Sequence, residues 1–313
     1  MTVHDAIKWA QAELKAGGLL EPLCEAQALV AACLGWERAR LIAHPDARLS
    51  AQQVRRLHSW VRRRKQREPL AYITRRAWFY GLELTVGRGA LIPRPETELL
   101  VEVFLSWVGC LPDSCRFPPL REGNQPDSVP PARRGNLKEG VSCSPILVDA
   151  GTGTGAIVLA CLTRAPQWLG VGIDRSGRAL RWAQVNRRRL GLETRLMLVQ
   201  GNWLQGMRAD SVDAVLSNPP YVLPNEWDGL QPEITRYEPK GALLVPADDP
   251  LRPYRRIALG ARCVLRAGGL LAFETSPRLA PLLAERLPAW GFPSPHIVRD
   301  YAGAMRVVWA IRA

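Results

Sequence analysis

Apolar residues follow two rhythms along this chain. Over residues 1–75 they recur every three to four positions. Val3, Ile7, Ala10 and Leu14 line one helical face, and Glu21-Pro22 opens a second apolar-rich helix, LCEAQALVAACLGW. Ser50 followed by Gln53 predicts a capping box ahead of AQQVRRLHSWVRRRKQ, since each side chain can accept from the other residue's backbone N–H. AWFYGLELTVG (77–87) has the pattern of a short hairpin, with Gly81 at its turn. LIPRPETELLVEVFLSWV reads as a proline-rich loop entering a helix, with Thr97 and its neighbouring acids suited to the helix start.

From residue 146 the rhythm changes to short apolar runs alternating with helical patterns. ILVDA (146–150) predicts a buried strand, followed by GTGTG and the helix AIVLACLTRA. LGVGID (169–174), RLMLVQG, SVDAVLSN and GGLLAFET (268–275) predict four more strands, and PHIVRD and MRVVWAIR the last two. Strands alternating with helices predict an α/β, doubly wound domain that binds its ligand at the carboxyl ends of the strands. Between the two regions, residues 107–145 lose all periodicity and are dominated by proline, glycine and charge, which predicts a flexible insertion. The expected organisation is a helical domain over 1–75 and a hairpin with a proline-rich connector over 76–106. The insertion follows over 107–145, and a catalytic domain over 146–313.

Composition narrows the class. At 313 residues, 47% hydrophobic and 23% charged, the chain is globular and long enough for two domains. No apolar stretch is long enough to span a bilayer, and the N-terminus MTVHDAIKWAQAELKAGG carries acids and lacks the layout of a secretion signal, so a cytoplasmic protein is expected. Seven cysteines, irregularly spaced and without a C-x-x-C pair, argue against zinc and against a disulfide framework and predict mostly buried free thiols. The net charge of +13 favours an acidic partner, whether nucleic acid, the ribosome or an acidic protein. Much of it lies in VRRLHSWVRRRKQRE (54–68) and NRRRLG (186–191), which read as solvated helix faces.

Three stretches carry chemistry. In VDAGTGTGAIVLA (148–160) a strand runs into a glycine-rich turn, Gly151-Thr152-Gly153-Thr154-Gly155, and then a helix. Asp174 ends the next strand, where a carboxylate can accept both hydroxyls of a ribose. The turn departs from G-x-G-x-x-G and has no lysine for phosphates. Asp149 beside it would repel a pyrophosphate but suits the ammonium of a methionine moiety, so S-adenosylmethionine is favoured over a dinucleotide. In QGNWLQ (200–205), Asn202 can bond an adenine edge and Trp203 can pack on its face.

The third stretch, LSNPPYV (216–222), follows the fourth strand. An amide or aromatic amine nitrogen is a poor nucleophile because its lone pair is delocalised. Asn218 Oδ1 and the Pro219 carbonyl can each accept one N–H of such a group, and both bonds strengthen as positive charge develops on nitrogen. Pro219 and Pro220 stiffen the corner, and Tyr221 offers a flat face to a planar amide or base. Arg94, set between two prolines in ALIPRPETELLVE (90–102), is a further candidate to contact the donor or gate the site.

Together REPLAYITRRAWFYGLELTVGRGALIPRPETELL, DAGTGTGAI, SNPPYV, RYEPKGAL and RDYAGAMRVV resemble the release factor glutamine methyltransferases, the HemK/PrmC family, over nearly the whole chain except 107–145. The resemblance implies a seven-stranded, Rossmann-like, class I S-adenosylmethionine-dependent methyltransferase domain behind a small N-terminal helical domain that binds the protein substrate. The implied reaction is N5-methylation of the glutamine in the Gly-Gly-Gln loop of class 1 peptide chain release factors. By position, Gly151 to Gly155, Asp174, Trp203 and Asn218 would contact the donor, and Asn218 to Tyr221 would hold the glutamine. The partner implied is a release factor, with no nucleic acid required, no membrane, and a monomeric enzyme. The sequence departs from the family at the insertion, at Asn202 where an acid is common, and at FETS (273–276), which keeps Glu274 but lacks the glycine that often follows it. No residue stands out as a general base. Two rivals are an amino-methyltransferase acting on adenine or guanine, which poses the same chemical problem, and a non-catalytic donor- or RNA-binding module. The helical N-terminus and IPRPETE weigh against the first, and the intact NPPY against the second.

Overall fold

The computed structural model describes residues 1–109 and 144–313. The expected insertion therefore lies, apart from its first and last few positions, outside the described residues, as do Cys110, Cys115 and Cys143. Two compact units emerge, and they do not follow the chain in order. The first is Met1–Ala77 with Val86–Arg88 and Asp228–Glu238, and the second is Trp78–Thr85, Gly89–Trp227 and Pro239–Ala313.

The first unit is helical: Val3–Ala16, Pro22–Leu34, Arg38–Ala43, Ala51–Lys65, Leu70–Thr74 and, from the later segment, Pro232–Tyr237. Its core is the predicted apolar face, with Val3, Ala10, Leu14, Leu29 and Leu57 fully buried. The capping box is present: Gln53 N–H donates to Ser50 Oγ at 3.2 Å and Ser50 N–H to Gln53 Oε1 at 2.8 Å. The basic run on this helix is not simply a solvated face. Arg64 is buried and donates to Glu25 at 2.5 Å and to Glu233 at 2.8 Å. A guanidinium taken out of water needs such partners, because an unpaired buried charge is far costlier than a paired one. The segment 228–238 thereby takes its place in this unit rather than in the one its sequence neighbours build.

The hairpin is formed by β1 (Arg76–Phe79) and β2 (Leu82–Thr85), turning on Tyr80 and Gly81 with φ of 49° and 75°. Positive φ at both central residues gives a turn whose twist matches the strands. The helix Glu98–Trp107 begins directly after Thr97, as expected, following a single 3₁₀ turn at Pro95–Thr97, although the Thr97 side chain makes no capping bond.

The seven expected strands are all present: β3 (Ile146–Ala150), β4 (Leu169–Asp174), β5 (Leu196–Gln200), β6 (Val212–Ser217), β7 (Leu265–Glu274), β8 (His296–Arg299) and β9 (Met305–Ile311). They form one sheet in the order β5-β4-β3-β6-β7-β9-β8. The first five are parallel, and β9 runs antiparallel to both β7 and β8. β7 starts ahead of its predicted Gly268, through a register irregularity opposite Val212 and Ala214 that absorbs the extra residues. Chain order runs outward from β3 through β4 to β5 in one direction and from β6 to β7 in the other, where β9 then inserts between β7 and the edge strand β8. The crevice of this doubly wound sheet therefore opens between the carboxyl ends of β3 and β6. Of the four described cysteines, Cys33 and Cys161 are buried and Cys24 and Cys263 exposed, all as free thiols, so burial is less general than expected. Among the described residues no helix is long and apolar enough to cross a membrane.

Candidate active site

Strand register delivers the candidate residues to one edge. β3 pairs β6 with Asp149 opposite Leu216, and β4 with Ala150 opposite Ile173; β6 pairs β7 with Ser217 opposite Phe273. One or two residues further along, Gly151, Asp174, Asn218 and Glu274 all leave the sheet at neighbouring carboxyl ends. Ser217 Oγ donates to the Ala150 carbonyl at 2.5 Å and ties the ends of β3 and β6 together.

The glycine turn is shaped from beneath by Asp149. This carboxylate is fully buried, and its Oδ2 accepts from the Thr152 hydroxyl at 2.6 Å and the Val158 N–H at 3.3 Å. Through Oδ2 it anchors the turn to the following helix, while the buried Oδ1 has no hydrogen-bond partner among the described residues. Thr152 and Thr154 turn inward, so the turn presents backbone rather than hydroxyls. Gly151 and Gly153 hold φ of 83° and 58°, a region that side chains rarely adopt. Open space surrounds the position a Cβ would take on Gly153.

Burial pushes the Asp149 carboxyl up to about 7, against the pull of its Thr152 and Val158 bonds. Raised above its unfolded value of roughly 4, such a carboxyl favours the folded state while neutral, and that contribution is lost as pH rises through about 7. Asp149→Asn keeps an acceptor oxygen without the charge. Its melting temperature relative to the unsubstituted protein is expected to rise between roughly pH 4 and pH 7 and to level off above that. A difference that stays constant across this range would show that Asp149 does not titrate there.

Asp174 sits at the edge of the turn. Oδ2 accepts from Gly153 N–H at 2.9 Å and Oδ1 from Ser176 N–H at 2.8 Å. Burial raises its pKa, with those two amides pulling it back. Each oxygen retains a lone pair, so the group can still take a pair of hydroxyls. Trp203 adopts φ of 54°, unusual for a bulky residue, and its ring lies 3.2 Å from the position of a Cβ on Gly151. Asn202 beside it is exposed. An open glycine backbone, an aromatic face and a carboxylate at the rim fit a nucleoside carrying a short charged tail. These residues fit S-adenosylmethionine, and Gly151 to Gly155, Asp174 and Trp203 would hold it.

Asn218 follows β6. Its Nδ2 donates to Glu274 Oε2 at 2.8 Å and to Thr97 Oγ1 at 3.1 Å. An ionised carboxylate only accepts, so with Glu274 charged the amide nitrogen faces it and Oδ1 faces away. Tyr221 is pinned by its hydroxyl, which donates to Glu274 Oε1 at 3.2 Å, so its ring is fixed as well as flat. Pro219 is buried and Pro220 half-buried between them. Arg94 is half-buried and its charge reaches the Tyr221 hydroxyl.

Sequence reading missed the hub of this arrangement. Glu274 is completely buried at the end of β7, and burial pushes its carboxyl up to about 7 while the Thr97 hydroxyl, the Arg306 charge and Tyr221 pull it down. Thr97 stands at the expected helix start, and its hydroxyl accepts from Asn218 and donates to Glu274. A glutamate closing an apolar strand next to the NPPY strand was the available signal. Among the described residues no group of three or more histidine, cysteine, aspartate or glutamate side chains could hold a metal ion.

The PrmC N-terminal domain family matches residues 5–74, and the methyltransferase small domain family matches residues 137–231. Over its full length the chain is similar to the release factor glutamine methyltransferase of Caulobacter vibrioides, at 32% identity over 312 residues, covering 100% of this chain and 97% of that one. It is similar to the release factor glutamine methyltransferase of Moorella thermoacetica at 32% identity over 313 residues, covering 100% and 99%. The protein of that name from Clostridium acetobutylicum is 31% identical over 314 residues, covering 100% and 99%.

Proposed function

The chain belongs to the release factor glutamine methyltransferase family, and we propose that it methylates N5 of the glutamine in the Gly-Gly-Gln loop of class 1 peptide chain release factors. The observation that carries the reading is the Asn218 amide, held with its nitrogen on Glu274 and its oxygen turned away from it, at the strand end adjacent to the glycine turn. The enzyme is an S-adenosylmethionine-dependent methyltransferase; the donor supplies an electrophilic methyl carbon on a sulfonium that leaves as a neutral thioether. Asn218 Oδ1 and the Pro219 carbonyl each accept one N–H of the glutamine amide. As the nitrogen lone pair forms its bond to the methyl carbon, positive charge grows on nitrogen and both hydrogen bonds tighten, so they favour the transition state over the ground state. The methylated nitrogen is then strongly acidic and releases one proton to water, so no dedicated base is required. The rigid Tyr221 ring supports the planar side chain, and Arg94 borders the same corner.

The helical first unit would grip the folded release factor away from its loop, and that remote binding energy would orient the glutamine. The partner is then the protein alone, without nucleic acid or membrane, and the enzyme works as a cytoplasmic monomer. Labelled S-adenosylmethionine, a class 1 release factor, and total RNA or DNA in parallel incubations test this. Label is expected on the release factor and is expected to vanish when its Gly-Gly-Gln glutamine is substituted. An isolated loop peptide is expected to be a much poorer substrate. Label on nucleic acid and none on the release factor would overturn the assignment in favour of a base amino-methyltransferase.

A further inference from the structure

We propose that Glu274 is a positioning residue for methyl transfer: its carboxylate fixes the Asn218 amide and makes Oδ1 a stronger acceptor for the substrate N–H. The inference rests on the amide-methylation reading above and adds a charge to it. Glu274 is fully buried, yet the groups that touch it are the Asn218 amide, the Thr97 hydroxyl and the Tyr221 hydroxyl, all neutral. The nearby cation, Arg306, bonds Asp300 at 3.2 Å. A carboxylate buried among neutral donors is a costly way to hold a loop, and an uncharged side chain would do so more cheaply. What the charge adds is polarisation. An amide whose N–H donates to a carboxylate carries more negative charge on its oxygen, and hydrogen bonds in series strengthen one another in a low-dielectric site. The substrate nitrogen becomes positive only during transfer, so a more negative Oδ1 acts where the barrier lies. Asn218 alone could rotate its amide and present N–H groups, which would repel the substrate's own. Glu274 and the Thr97 hydroxyl together forbid that rotation.

The groups facing Glu274 set when it carries charge. Arg306 on β9 favours the ionised form and Glu96 on the Pro95–Thr97 turn opposes it. Tyr221 donates from the loop after β6, and its hydroxyl is in turn influenced by Arg94. Tyr254, from the helix Arg252–Val264, donates to the Glu274 carbonyl at 3.3 Å and to Thr275 Oγ1 at 2.9 Å. With burial the largest influence, the carboxyl titrates at about 7. Asp149 titrates in the same range, so the effect must be read as a comparison between wild type and Glu274→Gln.

Glu274→Gln keeps an acceptor for Asn218 and a similar shape but has no charge. Above pH 7 its kcat is expected to fall on the order of tenfold, the scale of one charge-assisted contact, with donor Kd unchanged. Below pH 7 the ratio to wild type is expected to narrow, because wild-type Glu274 then loses its charge too. Independently of activity, the Asn218 side-chain ¹⁵N–¹H₂ signal, assigned by its loss in Asn218→Ala, is expected to titrate in the wild type and not in Glu274→Gln. Wild-type kcat in Glu274→Gln, a ratio that does not vary with pH, or an Asn218 signal indifferent to pH would each overturn the proposal. A titrating Asn218 signal in a wild-type enzyme that leaves release factors unmethylated would instead remove the substrate assignment and leave the positioning role standing.

Discussion

Asn218→Ala is expected to lower turnover by on the order of 100-fold or more, the usual cost of deleting one donor or acceptor that acts in the transition state. The substitution removes Oδ1, the acceptor proposed for a substrate N–H, and also removes the Nδ2 donor on which Glu274 and Thr97 converge. Both losses act on the reacting nitrogen. Asn218 itself is half-buried and outside the apolar core, but its loss leaves the buried Glu274 carboxyl with one donor fewer. Some fall in melting temperature is therefore expected beside the collapse of kcat, and turnover is compared at a temperature where both proteins are folded. Steady-state transfer of labelled methyl to a release factor, at saturating donor, measures the effect. Near-normal turnover in a folded variant would remove Asn218 from the reaction and with it the reason for the NPPY corner.

The second large effect is expected on donor affinity. Asp174→Ala should weaken S-adenosylmethionine binding by roughly 1–3 kcal/mol, the scale of a lost charge-assisted hydrogen bond. Two causes contribute. In the proposed binding mode the ribose would lose its carboxylate, and the glycine turn loses the 2.9 Å bond that Gly153 N–H makes to Oδ2. Asp174→Asn tests the charge by itself, since one acceptor oxygen remains while the charge is gone. Calorimetry with the donor alone reads the affinity. Turnover at saturating donor is expected to stay within roughly a few-fold, because an interaction made equally in ground and transition states changes binding rather than kcat. Unchanged donor affinity would show that Asp174 serves only the turn.

Much of this protein was legible before any coordinates. Each strand of the large sheet is an apolar run bounded by turn residues, and that composition is local. ILVDA and LGVGID form strands with the predicted bounds for this reason. The Ser50–Gln53 box is equally local, since its partners are three residues apart. The glycine turn and NPPY could be placed at strand ends because periodicity marks where a strand stops. Tertiary structure alone decided which side chains face one another. Asn218 meets Glu274 across 56 residues and Thr97 across 121, contacts set by β6 lying between β3 and β7 and by how far each strand runs. No local pattern encodes that register. Sequence likewise shows a carboxylate at 149 but not its complete burial or the bond its Oδ2 accepts from the Thr152 hydroxyl. It shows a basic run at 62–65 but not that Arg64 would be taken from the surface by Glu25 and Glu233, the latter 169 residues away. A polar group's role depends on the partners that burial forces on it, and those partners are chosen by the packing of distant segments.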